Sequence, residues 1–195
     1  HAVDLYPFQQ MEPTCCPSPR FYPEAFDLKV NREAGQYDVV AVYNWKDEAR
    51  IHTVDFAEDF GLAPDKKFIV FDFWNRQLLG VRSGSMKLEV PRHGVRALLV
   101  KPLLDRPRLA ATSRHLTGCY SIQAFEWDAD ELELSGTSTT VDGDTYTLYL
   151  YVPKDTKVGA AECSAGEATT VRNGRLLRVR MQGGGKPVDW SVRFK

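Results

Sequence analysis

Four carboxylates, Asp55, Glu58, Asp59 and Asp72, are the residues of this chain most readily considered for catalysis. Two of them could in principle serve glycoside hydrolysis. That reaction needs an acid and a base or nucleophile held across a cleft, roughly 5–5.5 Å apart for retention or 6.5–9.5 Å for inversion. Their surroundings point elsewhere. Asp55, Glu58 and Asp59 belong to DFAEDFG, which reads as a solvated acidic turn before Gly61. Asp72 lies between Phe71 and Phe73 within a strand, where it suits a polar face or a turn hydrogen bond better than acid catalysis. No residue is therefore assigned a catalytic role. His52, His93 and His115 have 40 and 21 residues between them, and none forms a pair one helical turn apart, so no metal site is assigned. Gly183-Gly184-Gly185-Lys186 lacks the upstream glycine and the following Ser or Thr of a phosphate loop, and no cofactor is implied.

Aromatic side chains offer a different chemistry, because a neutral sugar can stack its C–H face on an exposed ring. Trp45, Trp74, Trp127 and Trp190 are expected in the core, since tryptophan is highly buried on average. Tyr149 and Tyr151 share one face of the strand TYTLYLYV with Thr145 and Thr147, while Tyr146, Leu148, Leu150 and Val152 form the other. They are the candidate carbohydrate-binding residues.

The elements that must position these residues are strands. Residues 1–25 hold Pro7, Pro13, Pro17, Pro19 and Pro23 and read as an extended leader from a missing upstream domain. From Phe26 onward, short β-branched and aromatic runs alternate with turn formers. The clearest runs are 37–45, 50–56, 67–74, 85–90 and 95–101. In SMKLEV, Met86, Leu88 and Val90 alternate with Lys87 and Glu89, as in a half-buried antiparallel strand. VVAV at 39–42 suggests a strand covered on both faces, although a short buried helix has the same pattern. Only 55–61 could hold a helical turn. Prolines in KPLLDRP at 101–107 interrupt the pattern, and strands resume at 120–127, 131–135, 145–152, 156–163, 168–172, 175–181 and 187–194. Asp142-Gly143 and Asn173-Gly174 read as hairpin turns. The expected fold is all-β: two consecutive antiparallel β-sandwich units, 26–104 and 107–195.

Composition narrows the partners. Hydrophobic residues make up 43% of the 195, enough for one large core or two small ones. With 25 basic against 26 acidic residues and a net charge of −1, no global field concentrates nucleic acid or an anionic membrane. No apolar run approaches the roughly 18 residues of a membrane span, and the N-terminus lacks a signal peptide's charged and apolar regions, so a soluble segment of undetermined compartment is expected. Cys15, Cys16, Cys119 and Cys163 lack zinc-site spacing and read as buried or free thiols.

The stretch Tyr37–Pro102 resembles the C-terminal β-sandwich that follows the catalytic barrel in α-galactosidase-like glycoside hydrolases of families 27 and 36. The matching features are Tyr43-Asn44-Trp45, Phe60-Gly61-Leu62, Phe71-Asp72-Phe73-Trp74 with Gly80 after it, and Val90-Pro91-Arg92-His93-Gly94 before VRALLVKP. Ala2-Val3-Asp4-Leu5-Tyr6 is similar to the segment leaving the barrel, and 114–127 more weakly resembles a continuation found in some bacterial members; 131–195 carries no motif of the family. The resemblance implies a non-catalytic accessory region. Its partner would be a (β/α) barrel of the same parent chain, since the catalytic aspartates of the family lie on that barrel and its roughly 250 residues have no counterpart here. An independent module binding neutral carbohydrate is the alternative, and it requires exposed aromatic rings. A small stand-alone hydrolase would require converging titratable groups that the sequence does not display.

Overall fold

The computed structural model describes residues 23–117 and 119–195. Cys15, Cys16, the Ala2–Tyr6 segment and most of the expected leader lie outside the described residues. Fifteen strands and no α-helix are found among those described, so no helix there is long and apolar enough to cross a membrane. Every strand pairing is antiparallel.

The first part is built from β1 (Ala25–Arg32), β2 (Gly35–Tyr43), β3 (Arg50–Asp55), β4 (Phe68–Asp72), β5 (Gln77–Arg82), β6 (Ser85–Val90) and β7 (Val95–Pro102). Five of these form a sheet in the order β1-β2-β7-β4-β5, and β3 pairs with β6 as a separate two-stranded layer. The second part comprises β8 (Arg108–Thr112), β9 (Ile122–Asp128), β10 (Glu133–Thr139), β11 (Thr145–Tyr151), β12 (Val158–Cys163), β13 (Thr169–Asn173), β14 (Leu176–Gln182) and β15 (Pro187–Phe194). It forms two four-stranded sheets, β13-β14-β11-β8 and β12-β15-β10-β9. The hairpin glycines Gly143 and Gly174 adopt φ of +77° and +57°, values that carry a steric cost for residues with a Cβ.

Packing follows the two-residue period of the strands. In the five-stranded sheet, Val40, Val42, Phe68, Val70, Leu98 and Val100 face one core, which Val54, Phe56, Met86, Leu88 and Val90 close from the β3/β6 side. Tyr37, Val39, Ile69, Phe71 and Leu99 face the opposite way, into a core shared with the second part. There Phe71 meets Tyr149 with ring centroids 5.0 Å apart. The other face of β11 carries Tyr146, Leu148 and Leu150, which share that core with Leu134, Val188, Trp190 and Val192 of the last sheet. Its polar atoms are paired: Trp190 Nε1 donates to Ser138 Oγ at 2.8 Å, and the Ser121 and Tyr146 hydroxyls bond at 2.7 Å.

The alternation expected in SMKLEV is observed, with Met86, Leu88 and Val90 buried between exposed neighbours. VVAV is a strand with both faces covered. Strands β1, β5 and β8 were not among the runs expected from sequence. β8 shows why: RLAAT lies buried from end to end, so no alternation marks it, and alanine carries little strand preference. At 56–60 the chain makes a turn stabilised by the Asp59 and Gly61 amides donating to the carbonyls of Asp55 and Ala57, at 3.0 and 2.9 Å.

A buried polar cluster sits at the junction of the two parts. Lys101 is only 1% exposed; its Nζ donates to Cys119 Sγ at 2.9 Å and lies 4.0 Å from the centre of the Tyr37 ring. The Tyr37 hydroxyl donates to the Thr117 carbonyl, and Arg108 Nη1 and Nη2 donate to the carbonyls of Pro102 and Gln36 at 2.7 and 3.2 Å. Burial pushes the Lys101 ammonium below its ordinary pKa, with the Cys119 sulfur opposing that shift. Burial and the adjacent Cys119 push the Tyr37 phenol up. Removing one partner of such a cluster is costly, whereas an apolar replacement for the cation avoids its desolvation. Cys119→Ala should therefore lower stability by ~1–3 kcal/mol. Lys101→Met should cost less than Cys119→Ala does, because a neutral thiol left without its donor is a smaller penalty than a buried ammonium left without its acceptor. Urea unfolding of both variants checks the contrast.

Candidate functional site

Three of the four carboxylates considered for catalysis, Asp55, Asp59 and Asp72, are occupied by local structure, and Glu58 lies exposed on the turn between the first two. Asp55 Oδ1 accepts from the amides of Ala57 and Glu58 at 2.9 and 3.0 Å, and Asp59 Oδ2 accepts from the Asp55 amide at 2.8 Å. Together they close the turn after β3. Asp72, 2% exposed, accepts from the Asn75 amide at 3.1 Å and from Asn75 Nδ2 at 2.8 Å, and it pairs with Arg96 Nη1 at 3.2 Å. It caps the β4–β5 turn, the hydrogen-bonding role its position in the strand suggested. The histidines remain apart: His52 faces Glu24, His93 pairs with Asp47 and His115 with Thr117. Among the described residues, no group of three or more His, Cys, Asp or Glu side chains is placed to hold a metal ion.

The aromatic surfaces are distributed otherwise than expected. Tyr149 and Tyr151 are 3% and 4% exposed, so neither offers a ring face to a sugar. Period-2 alternation located them on one face correctly, but that face packs against the first part of the chain, through Phe71, instead of meeting solvent. Trp190 is buried and Trp127 half-buried. Trp74, expected in the core, is 59% exposed at the β4–β5 turn, in an edge-to-face contact with Phe73 at a centroid distance of 5.1 Å. Trp45 is 42% exposed but held, stacked on Tyr43 at 4.9 Å and donating from Nε1 to the Pro23 carbonyl at 2.9 Å. Neighbouring Asn44 is fully buried and donates from Nδ2 to the carbonyls of Glu48 and Pro91 at 2.7 and 3.0 Å, so the Tyr43-Asn44-Trp45 motif fastens a loop to the end of β6.

The β4–β5 turn also carries Arg76, which lines a cleft of about 440 Å³ with Arg178 and Arg180 of β14, Thr147 and Tyr149 of β11, and Ser113. None of the three arginines was singled out in the sequence. The signal was present in LLRVRMQ, where Arg178 and Arg180 are two residues apart and must share a face.

A second cavity, of about 400 Å³, is lined by Lys29, Asp38, Tyr37 and Phe68 beside β1. Lys29 Nζ bridges Asp27 and Asp38 at 2.8 and 2.5 Å. Burial raises the Asp27 carboxyl from 3.8 to about 6, with the Lys29 hydrogen bond opposing and the Asp38 charge adding to the rise.

Residues 30–100 match the alpha galactosidase C-terminal beta sandwich domain. The match begins at Val30 in β1 and ends at Val100 in β7, a little over a third of the chain, and so takes in most of the five-stranded sheet and the β3/β6 layer. All four motif segments of the sequence resemblance, from Tyr43 to Gly94, fall inside it. Among solved structures, α-galactosidase I from Mortierella vinacea is 26% identical over 42% of this chain and 21% of its own, with a TM-score of 0.35. An isomalto-dextranase of Arthrobacter globiformis T6, in complex with panose, is 15% identical over 88% of this chain and 34% of its own, also with a TM-score of 0.35. The chain thus spans well under half of either protein. No curated protein matches it.

Two outcomes follow from this geometry. Trp74→Ala should change stability by less than about 1 kcal/mol, since little burial is lost at an exposed site, and urea unfolding measures it. Asp27 holds its proton more tightly in the native state than in the unfolded chain. The stability it contributes is thus full below about pH 4 and lost as pH rises through about 6. Asp27→Asn should flatten that part of the profile, read as the difference between variant and parent unfolding midpoints from about pH 4 to about pH 7.

Proposed function

We propose that the chain is the C-terminal accessory β-sandwich region of an α-galactosidase-like glycoside hydrolase, non-catalytic by itself and supporting a (β/α) barrel of the same parent chain. The observation that carries this reading is the match of residues 30–100 to the α-galactosidase C-terminal sandwich. The carboxylates give it further support. Asp55, Asp59 and Asp72 are committed to closing turns, and glycosidase chemistry needs two carboxyls facing a bound ring at fixed separation.

One observation favours a second reading, an independent carbohydrate-binding module: the indole of Trp74 stands exposed on a turn whose backbone is pinned by Asp72. A rigidly presented ring suits sugar stacking, and Trp74 replaces Tyr149 and Tyr151 as the residue to examine.

Incubated with p-nitrophenyl α-galactoside, the purified chain should release nitrophenol at the rate of the buffer blank, and rejoining an upstream barrel should restore turnover. Turnover by the chain alone that disappears on replacing a single carboxylate would overturn the accessory reading. Binding of a galactose-containing oligosaccharide without turnover, abolished by Trp74→Ala, would favour the module.

A further inference from the structure

We infer that the cleft between the β4–β5 turn and the face of β14 and β11 is a binding site for an oxyanion-bearing ligand, taking the carboxylate of a sugar acid. Register places the groups. Arg178 lies directly across from Tyr149 and Arg180 from Thr147, so both guanidinium groups stand on the face that carries the Thr147 and Tyr149 hydroxyls. Arg76 enters from the other part of the chain at a residue with φ +51°, a left-handed conformation uncommon outside glycine. Its carbonyl accepts from Arg178 Nη2 at 3.4 Å, which ties turn and strand together at the cleft.

The electrostatics of the cleft are one-sided. Its lining includes Arg76, Arg178 and Arg180 but no carboxylate, and none of the ion pairs among the described residues involves these arginines. Two acids stand close by: Asp144 lines the adjoining cavity that shares Ser113 and Thr145, and Asp72, in the turn that carries Arg76, is taken up by Asn75 and Arg96. Like charges around a common space repel, and a bound anion relieves that repulsion. Guanidinium groups present paired N–H donors that match a carboxylate or sulfate. The hydroxyls of Ser113, Thr145 and Thr147 supply donors and acceptors of the kind sugar hydroxyls use, and a cleft of about 440 Å³ is in the size range of small-ligand sites. With a net charge of −1, the chain as a whole has no positive field to concentrate a polyanion, which suits a small ligand at this cleft better.

The choice of a saccharide as carrier rests on the proposed function; the oxyanion chemistry rests on the arginines alone. Calorimetric titration of the full chain with galacturonate, inorganic sulfate and galactose tests the two apart. Galacturonate should bind, sulfate should compete with it, and galactose should bind at least about tenfold more weakly, the loss expected for missing charge-assisted hydrogen bonds. Arg178→Gln and Arg180→Gln should each weaken galacturonate about tenfold, while Lys87→Gln on the exposed face of β6 should not. Equal binding of galactose and galacturonate would overturn the inference, as would indifference to both arginine substitutions or equal sensitivity to Lys87→Gln. Sulfate binding with no binding of galacturonate would overturn the sugar-acid assignment. Because Arg180 is exposed, its glutamine variant keeps the fold, and unchanged urea unfolding verifies this.

Discussion

Alternate side chains of β2, β4 and β7 enter two different apolar cores, so the five-stranded sheet has no solvent face across its centre. A slip of one residue in the pairing of these strands would move Tyr37, Val39, Phe71 and Leu99 into the β3/β6 core, and Val40, Val70 and Leu98 out of it. The β3/β6 layer covers one face, and the sheet containing β8 and β11 covers the other. Polar groups near the shared core must therefore be satisfied internally, and Lys101, Tyr37 and Arg108 meet that condition through a thiol and three backbone carbonyls.

How much of this was legible in the residues depended on burial. Strands with one wet face announced themselves: Met86, Leu88 and Val90 alternate with charge, and the exposed face of β6 is where the pattern said it would be. Strands covered on both sides lose that signal; β2, β4 and β7 still showed through their runs of Val, Ile, Leu and Phe, whereas β8, RLAAT, has no such run and passed unnoticed. The same ambiguity inverted two site residues. Nothing in TYTLYLYV distinguishes a face turned to water from one turned to another sheet, so Tyr149 and Tyr151 read as surface when they are core. Trp74 failed in the opposite sense. Average burial of tryptophan favoured the core, but the position follows the last residue of β4 by two and belongs to the turn, where the chain has already left the sheet.

The motif segments of the family likeness have mechanical duties. Asn44 ties the loop after β2 to the end of β6, and Asp72 holds the β4–β5 turn while neutralising Arg96. Buried polar residues of this kind satisfy backbone groups that would otherwise be stranded. A rigid turn then presents Trp74 to solvent and Arg76 to the cleft, so the residues that make the domain recognisable also fix the two side chains with most scope for ligand contact.

The shared core separates two meanings of a boundary. Similarity stops at Val100, yet Tyr37, Val39, Ile69, Phe71 and Leu99 are sealed by residues that lie beyond it. A fragment excised at that point would carry a contiguous apolar sheet face with no cover, and surfaces of that kind drive self-association. The cut would also sever β7 just before Lys101, whose ammonium donates to the Cys119 thiol. For recombinant expression, a unit that keeps the matched segment covered must run past β7 and include the sheet of β8, β11, β13 and β14 that shields it.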